Sequence, residues 1–278
     1  MVVSPLTESR AGSFLRFGWR QLYGRNERLI LGAGTLIGLL LVWELAARLE
    51  WINPLFISAP SRVARAGHDL IVDGELWPQI RVSGTEFLFG YGLAALVGIP
   101  LGLAAGWYRR LSFLLAPFVD TLNAVPRLTL MPLIVIWFGI GIWSKVVVVF
   151  LGAVLPIMIA AQAGVHTNEA RFIKVARSFG ASQRKIFSSI ILPGTVPFIF
   201  TGLKYGAGRA LLGVVVGELY AATAGVGHMI GMAGNTFQTD VLFFGVLLFT
   251  AAGLATVGLL NLCERRFESW RPKVGAAT

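Results

Sequence analysis

The side chains of this chain that could act on a solute are the charged and polar ones set inside long apolar runs. Arg209 lies about fourteen residues into the run that starts near 195, among Gly202, Gly206, Gly208 and Gly213. An ionisable group at such depth is costly to insert and faces protein, water or solute rather than lipid. A guanidinium there either lowers the barrier for a crossing anion or ties its helix to neighbouring carbonyls or a carboxylate. Asp120, Asn123 and Arg127 recur at spacings of three and four, which puts them on one helical face. They read as a polar stripe along a path or as an internal ion network. Pro126 and Pro132 favour the path, because irregular backbone at membrane depth needs protein or water beside it. Glu218 follows Arg209 by nine residues, half a helical rotation away, so the two do not pair on one face. It is placed for a gate, a receptor contact or a simple interfacial carboxylate. Lys204 is expected to snorkel to the surface, and Glu44 and Glu86, near span ends, to be solvated or paired. All of this is electrostatic handling of a charged solute, without bond-making chemistry. His68, His166 and His228 stand far apart, Cys263 is the one cysteine, and no nucleophile–base pair is visible. No G-x-x-x-x-G-K-[ST] phosphate loop occurs, so no cofactor is expected in this chain.

The elements that must position these groups follow from composition. Of 278 residues 55% are hydrophobic and 14% charged, with a mean hydropathy of +0.72. Soluble domains carry about 25% charged residues, so a water-soluble globular protein is excluded. A spanning helix takes roughly 20 apolar residues, and six spans are expected at about 29–48, 84–106, 115–139, 144–165, 195–219 and 240–262. The third carries Pro117, Pro126 and Pro132 and is expected to be irregular. The predicted class is therefore all-α and polytopic. Residues 1–28 form a basic N-terminal segment, 29–262 the membrane domain with a loop at 166–193, and 263–278 a tail. Residues 61–73, between the first two spans, are expected to form a short amphipathic helix. Glycines spaced by four, such as Gly98, Gly102 and Gly106, let helix backbones approach closely.

A net charge of +10 would suggest nucleic acid on a soluble chain. Sorted by segment, 16 of the 24 Lys and Arg fall in 1–28, 107–112, 166–193 and 263–278, and four in the segments on the opposite side. By the positive-inside rule the first set is cytoplasmic, with both termini inside. Five arginines before the first span and no Ala-x-Ala site after it argue against a cleaved signal peptide. No nucleic-acid partner is expected.

The loop between spans four and five is the most informative segment. Residues 168–179 put Phe172, Ala176 and Phe179 on one helical face and Arg171, Lys174 and Arg177 on another. Gly180 then serves as a C-terminal cap and Ser182 starts a second helix, 183–192, which Pro193 is expected to stop. The pattern is that of two short helices on the cytoplasmic side, touching lipid head groups or docking a cytoplasmic protein.

These residues carry a resemblance to permeases of bacterial ABC importers, whose loop has the form E-A-A, three residues, G, nine residues, I-x-L-P. Gly180 is followed after nine residues by Ile190, Ile191, Leu192 and Pro193. Lys174, Val175 and Ala176 stand where E-A-A would, so the alanine is kept and lysine replaces the glutamate. The stretches LFISAPSRV, PRLTLMPLIVIWFGIG, ARSFGAS, ILPGTVPFIFTGLKYGAGRA and GVVVGELYAATAGVGHMI resemble the nitrate/sulfonate/taurine branch.

The resemblance implies the transmembrane permease of a binding-protein-dependent importer, in the inner membrane of a bacterial cell. Two permease copies, as a homodimer or with a related chain, would form the path for a small solute such as nitrate, a sulfonate or taurine. Two cytoplasmic ATPases would bind ATP and Mg and would dock on Glu169, Phe172, Lys174, Ala176, Arg177, Phe179, Gly180, Ala181 and Arg184. A periplasmic or lipid-anchored receptor would deliver the solute, and the permease would not itself be an enzyme. Arg209, Glu218, Asp120, Asn123 and Arg127 would belong to the pathway. The rival reading is a secondary transporter of small anions that works without ATP; no internal repeat of the kind such folds show is visible.

Overall fold

A computed structural model describes residues 31–49, 51, 53, 56–167 and 170–267. Among these every regular element is a helix. The chain divides into two compact units, up to Ala64 and from Arg65 onward.

The first unit holds α1 (Leu31–Arg48) and the start of α2 (Pro60–Val72). Glu44 accepts from the Ser61 backbone N–H at 3.0 Å and from the Ser61 hydroxyl at 2.7 Å, and pairs with Arg48 at 2.7 Å. A carboxylate at the first turn of a helix satisfies an N–H that lacks an intrahelical acceptor. The Trp43 indole adds a bond to the Ser58 carbonyl at 2.7 Å. The short helix expected at 61–73 is therefore present, and its start is fixed by the end of α1.

The second unit is built on three long helices, α3 (Leu76–Trp107), α6 (Ile142–Thr167) and α9 (Leu192–Ala221). Lipid tails are as apolar as leucine, so these helices associate by close packing rather than by escape from water. Glycines set the distance. A methyl group at Gly98 of α3 would come within 2.9 Å of the Val154 carbonyl oxygen of α6. One at Gly213 of α9 would come within 3.0 Å of Val149 Cα. Both lie inside van der Waals contact, so α6 is held between two helices that offer it glycine. Ala94, Val149, Ala153, Ile157, Ala210 and Val214 fill the layer between them.

The third span departs from a single helix. α4 (Arg109–Ala124) ends where Val125 turns extended, at φ −75° and ψ 123°. A residue before proline is pushed out of the helical region, and Pro126 follows. A 3₁₀ turn, Arg127–Leu130, then leads into α5 (Met131–Phe138). Pro132 sits in the first turn of α5, where its missing N–H costs no hydrogen bond. Gly139 ends it at φ 75°. Among the described residues five helices are thus long and apolar enough to cross a membrane, and the expected third crossing consists of two shorter helices around a break.

The second span also starts earlier than expected, at Leu76 rather than near 84. Past α9, the sequence reading missed α10 (Val226–Asn235) altogether. α11 (Thr239–Arg265) follows it. Lys204 does not simply snorkel: its ammonium pairs with Glu264 of α11 at 2.5 Å.

Candidate functional site

The break in the third span opens onto a cavity of about 520 Å³. Its polar lining comes from Arg209 and Tyr205 of α9 and Asn123 of α4. Val148, Ile159 and Leu212 are among the apolar residues around them. Tyr205 and Arg209 are one turn apart and so share a face of α9. Arg209 is seventeen residues into a 30-residue helix, about 18 Å from its Ala221 end at 1.5 Å per residue. It is exposed, and no ion pair or hydrogen bond ties it down among the described residues. Gly152 explains how α6 lets this stretch of α9 so close: its Cα faces the Arg209 carbonyl, and a methyl group there would be 3.0 Å from that oxygen.

The structure brings Arg209 and Asn123 together and leaves out others read with them. Asp120 is exposed on α4 and does not line the cavity. Arg127 opens the 3₁₀ turn beside the break.

Glu218 lies elsewhere and is fully buried. Its carboxylate accepts from the Ser83 hydroxyl at 2.6 Å and from the Gly227 N–H at 2.6 Å. Ser83 in turn accepts from the Val226 N–H at 2.8 Å, and Gln79 accepts from the Gly225 N–H at 2.6 Å. These bonds satisfy the N-terminal donors of α10 with side chains of α3 and α9. Gly225 makes the turn into α10 at φ 121°, and a Cβ there would collide with the Glu218 carboxylate. Beside this latch, Lys145 Nζ lies 3.8 Å from Glu86 and donates to the Ile140 carbonyl at 2.9 Å. Glu86 and Lys145 are both buried. Nothing in the local pattern of Ser83 or Lys145 marks them, whereas Glu86, expected to be solvated or paired, is buried and paired. Only the Gly225–Val226–Gly227 turn was a visible signal.

The loop between α6 and α9 has the expected form. α7 (Ala170–Ser178) closes with Gly180 at φ 74°, its N–H bonded to the Arg177 carbonyl and that of Ala181 to the Ala176 carbonyl. That pair of bonds is a Schellman motif, which needs the left-handed residue glycine supplies. Ser182 accepts from the Lys185 N–H at 3.3 Å and starts α8 (Gln183–Ile186). Pro193 does not stop the helix. A π turn at Phe187–Ile191 precedes it, the Leu192 N–H reaching back to the Phe187 carbonyl, and the chain stays helical into α9. The wider turn gives the proline ring room against the preceding carbonyls. Ala176 and Ala181 pack inward on Val165, Ile186 and Ile191. Phe172, Lys174, Arg177 and Arg184 are exposed, and Phe179 is 86% exposed. Glu169 lies outside the described residues.

Comparisons with known proteins agree with this geometry. Residues 98–269 match the family described as binding-protein-dependent transport system inner membrane component. The chain is 37% identical, over 93% of its length and 95% of the relative's, to the taurine transport system permease protein TauC of Escherichia coli. It is 31% identical to the putative aliphatic sulfonates transport permease protein SsuC of Bacillus subtilis, over 91% and 90% of the two chains. A chain of the MetNI methionine ABC transporter, in an inward-facing conformation, shares the fold with a TM-score of 0.56 at 17% identity, covering 71% of this chain and 94% of that one.

Proposed function

The chain belongs to the binding-protein-dependent transport inner-membrane components, and on that premise we propose that it forms the path of a small sulfonate-type solute past Arg209. It is the multi-pass membrane permease subunit of an ABC importer. The cavity carries the reading: an arginine with no partner among the described residues, halfway along a spanning helix, beside a break in a second helix. A cation at that depth of a spanning helix is costly unless protein, water or a ligand faces it. The relatives named for taurine and aliphatic sulfonates support the solute class.

ATP and Mg belong to partner ATPases in this reading, and α7 and α8 dock them. The exposed Phe179 supplies an apolar anchor, and the exposed Lys174, Arg177 and Arg184 supply basic groups on the same loop. In this reading residues 166–193 are cytoplasmic together with both termini, which the partition of Lys and Arg supports. A second copy of the chain completes the path, and a receptor on the opposite face delivers the solute. Coexpression with the neighbouring ATPase and receptor tests this. The complex copurifies and accumulates sulfonate, and deletion of residues 170–186 abolishes both. Copurification that survives the deletion would contradict the docking assignment.

A further inference from the structure

Among the described residues, the cavity beside Arg209 is lined by one formal charge and no carboxylate. Arg209 is the sole ionisable group of that described lining apart from the Tyr205 phenol. The Tyr205 hydroxyl makes no hydrogen bond among the described residues. It sits one turn from Arg209 on the same face, so a guanidinium and a phenol O–H are offered to one side of the cavity. Asn123 lines the cavity from α4, and the rest of the wall is mostly aliphatic, with Val148, Ile159 and Leu212 on it. A volume of about 520 Å³ is within the usual range of small-molecule sites.

We propose that this cavity is an oxyanion-binding site that selects a net-negative sulfonate with an apolar tail over a zwitterionic aminosulfonate. The inference rests on the pathway reading above and narrows its solute class. A sulfonate oxygen set accepts from a guanidinium fork and a phenol, charge-assisted bonds that are the stronger kind. An alkyl tail loses nothing against aliphatic walls. An ammonium on the same tail would give up its water, find no carboxylate, and stand within a few ångströms of the Arg209 cation. The receptor chooses what reaches the permease, and this site then discriminates a second time by charge.

Propane-1-sulfonate and taurine test this, since they differ chiefly in a methyl group against an ammonium. The probe experiment is equilibrium binding of each to the complex of the full chain with its ATPase, in lipid nanodiscs and without receptor. Propane-1-sulfonate binds saturably and at least about tenfold more tightly than taurine. Arg209→Gln weakens propane-1-sulfonate by at least about tenfold, whereas Arg209→Lys keeps the charge and loses less. Leu212→Glu, three residues on along the same helix, supplies the missing carboxylate and removes or reverses the preference. Equal binding of the two probes, no saturable binding of propane-1-sulfonate, or undiminished binding by Arg209→Gln each overturns the proposal. ATP-driven uptake with receptor present is measured separately. If uptake persists while selective binding is absent, this inference fails and the pathway reading stands; if the chain neither binds an ATPase nor transports, the pathway reading fails first.

Discussion

Ser83 donates to Glu218 at 2.6 Å inside the protein, across 135 positions of sequence. The same hydroxyl oxygen accepts from Val226 at 2.8 Å, so one serine joins α3, α9 and the start of α10. It converts a helix N-terminus that would need water into one satisfied by protein. Glu218, placed by sequence for a gate, a receptor contact or an interfacial carboxylate, is in the structure fully buried in a clasp between helices.

Ser83→Ala leaves a buried carboxylate oxygen and a buried N–H without partners. The cost is about 2–4 kcal/mol, read as a fall of about 5–10 °C in the thermal midpoint of the purified protein. Gly225→Ala lowers the midpoint as well, because φ 121° is strained for alanine and its methyl meets the Glu218 carboxylate. An unchanged midpoint for both variants would remove the clasp from the account.

Lys145 is the cation facing Glu86 at 3.8 Å. Lys145→Met strands negative charge in the interior and destabilises by about 3–5 kcal/mol. Adding Glu86→Gln recovers more than half of the loss, since the charge it leaves behind is then removed. A thermal double-mutant cycle measures this, and additive effects of the two changes would show that the pair is not coupled.

Gly102 faces Met158 and Ala161 of α6, where a methyl group would come within 2.7 Å of Ala161 Cβ, whereas Gly92 of the same helix has nothing within 4 Å. Gly102→Leu forces α3 and α6 apart and costs at least about 1–3 kcal/mol. Gly92→Leu stays within about 0.5 kcal/mol of the parent. Yield of monodisperse protein separates the two, and equal tolerance would mean that the glycine line does not set the helix spacing.

Phe179→Ala leaves folding unchanged, because the ring is 86% exposed. It weakens the ATPase complex by about tenfold to thirtyfold if the ring fills a pocket at the centre of that interface. Gly180→Ala costs about 1–2 kcal/mol in the loop itself through the positive φ. Titration of the detergent-solubilised chain with its ATPase measures both, and full affinity for Phe179→Ala would place the anchor elsewhere.

Local signals were legible in the sequence. The helix at 60–72, the Gly180 cap and the Ser182 start follow from short-range rules, and the structure has all three. Proline chemistry located the irregular third span near Pro126 but not its division into two helices, because which crossing survives depends on what packs beside it. Arg209 and Asn123 share a cavity although no spacing rule joins positions 86 residues apart in sequence. The pairings of Glu218, Lys145 and Lys204 have no spacing signature for one reason: their partners Ser83, Glu86 and Glu264 are distant in the chain and local in space. Pro193 looked like a stop because the π turn that accommodates it has no sequence signature at this length. α10 was missed because its ten residues are short and held by α3 and α9 rather than by their own periodicity.

The most direct test of the pathway is sulfonate uptake into proteoliposomes holding the full complex with receptor, with and without ATP at the ATPase face, for the parent chain and Arg209→Gln. Uptake is expected only with ATP, at a rate reduced by about tenfold or more for Arg209→Gln while receptor-stimulated hydrolysis remains. Uptake that proceeds without ATP, or that is indifferent to Arg209, would contradict a sulfonate path past that residue.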